Sequence, residues 1–268
     1  MIDRYELKFL LDPQQRAEVE RVVVGRLEED EHGPEGRYAV NSIYYDSPDL
    51  RWMHEKLDGL SRRHKVRLRW YGGPVREAAE GFLEIKHRRG RRVLKERARF
   101  ARPDRVAADH RLLLDPDELL GEAEDSGRIA ARVSRLAAEL ELRPAVLIRY
   151  RRRAFVAPRE RRLRITFDEV VQAFAPDDGR LEGSARPLLP TGWVVLEVKF
   201  DQRMPSWTRS ALISLGLRLQ PFSKYAEGML ALRGAASHAL SPSEARLRSP
   251  AGEEALDLGE AAAATEGA

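Results

Sequence analysis

The residues best suited to chemistry in this chain are cations set two apart. Lys65, Arg67 and Arg69 alternate with Val66, Leu68 and Trp70, the period of a strand with one charged and one apolar face. Guanidinium forks in such a row can bond two oxygens of an anion at once. A single strand of this kind is most simply a surface strand with solvated charges. The pattern recurs, however. Arg4, Glu6 and Lys8 alternate with Tyr5, Leu7 and Phe9, and Glu84, Lys86 and Arg88 with Leu83, Ile85 and His87. Arg162, Arg164, Thr166 and Asp168 alternate with Leu163, Ile165 and Phe167, and Glu197, Lys199 and Asp201 with Leu196, Val198 and Phe200. An open sheet would show these charges to water. A closed barrel with helices over its apolar outside would point them inward, into a basic lumen that repels itself unless a polyanion or a metal occupies it.

The elements that must position these rows follow from local signals. Strands are predicted at about 3–11, 38–46, 64–72, 81–88, 92–100, 146–156, 162–170 and 193–200, with a hairpin turn around Arg89, Gly90 and Arg91. Asp12 followed by Pro13 starts a helix to about Leu27, and Ser47-Pro48-Asp49 opens a short one to Leu57. Further helices are expected from Asp117, from Arg128 to Leu142, from Pro205 to Leu215 and from Ser223 to Leu232. The fold class expected is α+β: an eight-stranded antiparallel β-barrel tunnel with a charged lumen, flanked by helices.

Composition sets the limits. The chain has 268 residues, 34% of them charged, and a formal net charge of +4. Residues 235 to 268 hold Glu244, Glu253, Glu254, Asp257, Glu260 and Glu266 against Arg246 and Arg248, so the positive charge is concentrated in residues 1 to 234. That body is read as one domain, and 235 to 268, rich in Ala and Glu and poor in large apolar residues, as a disordered tail. Without cysteine there is no disulfide framework and no cysteine-ligated metal. No signal-peptide pattern and no apolar run near 18 residues is found, so a soluble, cytoplasmic protein without a membrane span is expected.

Eight motifs in order resemble the VTC domain. They are Arg4-Tyr5-Glu6-Leu7-Lys8-Phe9, Ser42-Ile43-Tyr44-Tyr45-Asp46, Lys65 to Tyr71, Glu84-Ile85-Lys86, Tyr150 to Phe155, Arg164 to Asp168, Leu196-Glu197-Val198-Lys199 and Phe222-Ser223-Lys224-Tyr225. The resemblance covers residues 2 to 232. That family is the polyphosphate polymerase domain of the vacuolar transporter chaperone complex, a branch of the triphosphate tunnel metalloenzymes (CYTH-like). The resemblance implies that Lys8, Arg67, Arg69, Lys86, Arg152, Arg164 and Lys224 grip phosphates. It further implies that Tyr150 contacts the phosphate chain and that Glu197, with Glu6 as helper, holds Mn²⁺ or Mg²⁺. Lys65, Lys95, Lys199 and Ser223 join as substrate-binding residues. Structural ion pairing stands as the other reading of Glu6 and Glu84, and a solvated hairpin arm as that of Lys95, Arg97 and Arg99. The Glu-x-Glu-x-Lys signature of the wider superfamily has Arg4 at its first position here, which resembles the VTC branch more than the triphosphatases.

The activity implied is a phosphotransferase, a polyphosphate polymerase taking the terminal phosphate of a nucleoside triphosphate, ATP being expected. A tripolyphosphatase or nucleoside triphosphatase of the same fold, and a non-catalytic polyphosphate-binding module, are the alternatives. Nucleic acid is not expected as a partner, because stacking platforms and a known recognition motif are lacking. His54, His64 and His87 lack metal-ligand spacing and are read as surface or packing residues.

Overall fold

The computed structural model describes residues 4–89, 92–108, 112, 116–120, 123–157, 163–176, 184–201 and 203–234. The predicted tail, Arg162 and the hairpin residues Gly90 and Arg91 lie outside the described residues. In chain order the elements are β1 (Arg4–Leu11), α1 (Pro13–Val24), β2 (Glu28–Glu29), β3 (Arg37–Asp46), α2 (Arg51–Leu57) and β4 (Arg62–Tyr71). There follow β5 (Glu80–Arg89), β6 (Arg92–Ala101), α3 (Pro103–Ala108), β7 (Leu119–Leu120), α4 (Ala123–Glu139) and β8 (Arg143–Val156). The last are β9 (Arg164–Phe174), β10 (Arg186–Pro187), β11 (Val194–Asp201), α5 (Ser206–Ser214) and α6 (Lys224–Leu232). The eight longer strands are the eight expected from sequence; β2, β7 and β10 are two-residue additions.

All pairings are antiparallel, and the hydrogen-bonded path runs β1-β11-β9-β8-β3-β4-β5-β6-β7, with β10 beside β9 and β2 beside β8. This differs from the closed barrel expected. Among the described residues no backbone ladder joins β6 to β1, and the free edge of β6 is taken up by β7 at Arg99 and Phe100. The sheet nevertheless curls. Glu6 of β1 and Lys86 of β5, far apart along the path, form an ion pair at 3.6 Å.

The alternation decides what covers each face. Outward residues of β3, β4 and β5 (Ile43, Tyr45, Val66, Leu68, Trp70, Leu83, Ile85) pack with Val133 and Ala137 of α4 and Val106 of α3. On the other half, Phe9, Phe155, Ile165, Phe167, Leu196 and Val198 meet Val19 and Val23 of α1 and Leu212 of α5. Helix α1 begins as expected, with Asp12 accepting from the Gln15 amide at 2.9 Å while the Gln15 side chain caps the Asp12 amide. The helix expected from Asp117 is a single 3-10 turn over Pro116–Glu118 that leads into β7, and α4 starts at Ala123, earlier than the Arg128 expected.

Helix α6 departs from the expectation that helices lie outside. It packs on the inner face, where Tyr225, Ala226 and Met229 meet Tyr44, Val146, Ile148, Val171 and Ala173. Gly228 makes this approach feasible: a β-carbon there would stand 2.5 Å from Ile148 Cδ1 and 3.1 Å from Val146 Cγ2. The register irregularity between Arg149 and Arg151 of β8, opposite a positive φ of 49° at Val170 of β9, shifts the phase so that Asp168 and Val171 both face inward. No helix among the described residues is long and apolar enough to cross a membrane.

Candidate functional site

The cationic rows converge on the inner face. Lys8, Lys65, Arg67, Arg69, Lys86, Lys95, Arg97, Arg152, Lys199 and Lys224 stand there, ten cations around the four carboxylates Glu6, Glu84, Asp168 and Glu197.

Two carboxylates act as nodes. Glu197 on β11, 4% exposed, receives Lys8 of β1 at 3.3 Å and Lys224 of α6 at 3.0 Å on Oε1. Its Oε2 receives Lys199 at 2.6 Å and Arg152 of β8 at 3.3 Å. Beside it Asp168, fully buried, accepts both Nε and Nη2 of Arg152 at 2.6 and 2.8 Å and Lys224 Nζ at 2.6 Å. The Tyr150 ring supports these cations, with Lys224 Nζ 4.8 Å and the Arg152 guanidinium 5.3 Å from its centroid. The second node, Glu84 on β5, is also fully buried. It accepts Arg67 of β4 at 2.6 Å on Oε2, and Arg97 and Lys95 of β6 at 2.6 and 2.5 Å on Oε1.

Burial alone would raise the carboxyl of Glu197, but Lys199, Lys224, Lys8 and Arg152 outweigh it and hold it well below the usual carboxylate range. Glu84, Asp168 and Glu6 are held low in the same way by their own cationic neighbours. The lysines divide: against burial, Glu197 and Glu6 raise Lys8, and Asp168 and Glu197 raise Lys224, while others are lowered. Burial lowers Lys95 to about 7 against the pull of Glu84, and Lys199 to about 8 against that of Glu197. Lys65 is driven well below its ordinary value by burial and by Lys8 and Lys86 nearby.

Lys65 and Arg69 hold no carboxylate among the described residues. Lys65 Nζ donates to Ser223 Oγ at 2.9 Å, while Arg69 donates to Ser42 Oγ at 3.2 Å and to the Tyr150 hydroxyl at 3.4 Å. Ser223 also caps α6 by accepting from the Ala226 amide. Lys86 ion-pairs with Glu6; that carboxylate raises its pKa, with Glu197 adding to it, and burial with Arg67 and Lys8 outweighs them, leaving Lys86 below its ordinary value. Arg164 is set apart from the Glu197 node, bonding Asp30 and the Tyr38 hydroxyl at 2.7 Å each. Sequence reasoning gave no site role to Asp168 or to Tyr44, whose hydroxyl accepts from Arg67 Nη1 at 3.0 Å, and it left Arg97 open between the lumen and a solvated hairpin arm; the structure sets Arg97 on Glu84. The signal for Asp168 was its phase with Arg164 in the β9 alternation.

Among the described residues no three His, Asp or Glu side chains converge as a metal cage. Glu6 and Glu197 do share one ammonium, Lys8 Nζ, at 3.1 and 3.3 Å. Two hard carboxylates at one point suit an ion such as Mg²⁺ or Mn²⁺, which is commonly bound through one or two carboxylates plus phosphate oxygens.

A family model for the VTC domain matches residues 3–233. The chain is 28% identical over 227 residues to vacuolar transporter chaperone complex subunit 4 of Trypanosoma brucei brucei, covering 73% of this chain and 28% of that protein. It is 26% identical over 228 residues to the subunit of the same name from Schizosaccharomyces pombe, covering 72% and 32%. The chain thus spans less than a third of one of these relatives and about a third of the other. A solved structure of a Pyrococcus horikoshii OT3 protein aligns with a TM-score of 0.43 at 14% identity, over 86% of this chain and 97% of that one.

Proposed function

Since the chain belongs to the VTC domain family, we propose that it is a metal-dependent polyphosphate polymerase, which moves the terminal phosphate of a nucleoside triphosphate, ATP being expected, onto a polyphosphate chain. The observation that carries this reading is the cation-rich inner face, where Lys8, Arg67, Arg69, Lys86, Arg152, Lys199 and Lys224 gather around Glu6, Glu84, Asp168 and Glu197. Cations gathered in a partly buried place are costly unless anions offset them. A triphosphate and a chain end, with roughly four negative charges on the first, would do so. In this reading the inner face is the lumen of an eight-stranded tunnel and residues 1–234 are the catalytic unit.

The roles follow from the geometry. Arg67, held by Glu84 and Tyr44, and Arg69, held by Ser42 and Tyr150, present fixed forks. Lys8, Lys86, Lys199 and Lys224 are single-point cations now spent on Glu6, Glu197 and Asp168, and free to turn to phosphate when it arrives. Arg152 bridges Asp168 and Glu197 and fixes the floor between them. Glu197 and Glu6 would hold the divalent ion, which supplies charge neutralisation on the transferring group. In the transfer an oxygen of the chain end bonds the terminal phosphorus while the bond to the β-phosphate oxygen breaks, and the nucleoside diphosphate leaves with that electron pair. An anionic phosphate oxygen needs no base, which suits a site whose four carboxylates are all held low and are therefore weak bases.

Water as acceptor is the second reading, since a face that grips a triphosphate serves hydrolysis as well as transfer. Incubation with ATP and Mn²⁺ or Mg²⁺, with products resolved on a polyphosphate-stained gel beside Glu197→Gln and Arg67→Ala, separates the two. Long chains from the wild type and none from the variants are expected. Free phosphate without chains would turn the reading to hydrolysis, and binding without turnover to a polyphosphate-binding module.

A further inference from the structure

The polar rows end, on the side away from α6, in an arc of aromatic rings. Tyr38, Tyr71 and Phe82 occupy inward positions at the start of β3, the end of β4 and the start of β5, which the strand register places at one end of the sheet. Tyr38 and Tyr71 meet edge to face with centroids 5.6 Å apart, and Tyr71 and Phe82 at 5.7 Å. Cations stand at both ends of the arc. Arg164 donates to the Tyr38 hydroxyl, and the Arg97 guanidinium lies 4.4 Å from the Phe82 centroid.

Two observations mark this arc, whose Tyr38 and Tyr71 also pack against the inner apolar cluster. Tyr38 and Tyr71 are half-buried, whereas Tyr44 and Tyr150 deeper on the same face are buried. The position is also graded from charge to arene: Tyr71 is two residues beyond Arg69 on the same face, about 7 Å along the strand, and Tyr38 is opposite Arg152 in register. At the other end of the face α6 is packed down with Tyr225 and Met229.

We propose that Tyr38 and Tyr71, backed by Phe82, form a stacking platform for the nucleobase of the donor nucleotide, whose phosphates then run past Arg69 and Arg152 towards Glu197 and α6. This rests on the nucleoside triphosphate reading above and adds where the base sits. Stacking accepts any base, because each has a π-face. The platform therefore favours nucleotides over inorganic phosphates without choosing sharply among purines.

Titration calorimetry with ATP and with inorganic tripolyphosphate, each with Mn²⁺, tests it on wild type, Tyr71→Leu and Tyr71→Phe. Tyr71→Leu is expected to bind ATP about tenfold more weakly, the scale of one lost base stack. Its tripolyphosphate affinity stays within about twofold of wild type, which also reports that the site is folded, and Tyr71→Phe restores ATP binding. Unchanged ATP affinity in Tyr71→Leu, or equal loss for both ligands, overturns the platform and leaves the polymerase reading standing. Failure of the wild type to bind either ligand overturns both.

Discussion

Glu84 and Glu197 are both buried carboxylates ringed by cations on one face of one sheet, yet they are built differently. Glu84 is gripped from adjacent strands, by Arg67 of β4 and by Arg97 and Lys95 of β6. Two of its three partners are arginine forks whose geometry is fixed by the ladder beneath them. Glu197 is gripped from four elements, β1, β8, α6 and its own β11, and three of its four partners are lysines. Lysine is a point charge on a flexible stem and can exchange one anion for another with little rearrangement. In the reading proposed above the same charge pattern would serve two ends: Glu84 holds Arg67 in place, and Glu197 would keep a set of ammonium groups gathered until phosphate arrives.

The comparison can be broken most forcefully at Glu84. Glu84→Gln leaves three cations without a counter-charge in a buried place, and is expected to lose about 3–5 kcal/mol of stability, read by denaturant unfolding. Tripolyphosphate should restore part of that loss; a variant as stable as wild type would show Glu84 to be no structural node.

A smaller effect is expected at Gly228. Alanine there meets Ile148 and Val146 and must push α6 away from β8, at about 1–3 kcal/mol. The displacement carries Lys224 away from Asp168 and Glu197, so polyphosphate synthesis per folded molecule should fall as well. Unaltered turnover would mean that α6 does not deliver Lys224 to the site.

The smallest effect is in pH dependence. Lys95 and Lys199, lowered to about 7 and about 8 from an ordinary 10.5, lose protons in the folded chain that the unfolded chain keeps. Stability of the free protein should therefore rise with pH between 7 and 10.5 from these two groups, while affinity for tripolyphosphate falls several-fold over the same window as they lose charge. The carboxylates act in the same sense at acid pH, although they add stability where the lysines subtract it. Held below their ordinary value of 4.5, Glu84 and Glu197 contribute stability that is present above it and lost as pH falls. Affinity that is flat from pH 7 to 10 would show the lysines to be outside the phosphate site.

Much of this was legible in the sequence, because period-two alternation fixes which residues share a face. Lys8, Arg67, Arg69, Lys86 and Glu197 were each assigned to a charged strand face by phase, while their grouping as one site came from the resemblance, and all eight long strands fall where predicted. What phase could not give was partner choice. Arg164 has the right phase for the Glu197 node, yet Asp30, from outside the strand rows, captures it. The irregularity near Val170, which lets Asp168 and Val171 face the same way, depends on a left-handed backbone at a β-branched residue, for which sequence gives no signal. Nor did the helical pattern of α6 say that it would sit inside the curl, since its apolar side and its Lys224 read equally well as a surface helix.

The most direct test of the two-node account is the rate of polyphosphate synthesis from ATP and Mn²⁺, per folded molecule, in Glu197→Gln against Glu84→Gln. The account predicts that Glu197→Gln keeps its fold and loses about 10²-fold or more in rate, the scale of removing a charge-stabilising group. Glu84→Gln, assayed where it remains folded, loses less. A Glu197→Gln protein that synthesises chains as fast as wild type, or faster than Glu84→Gln, would contradict it.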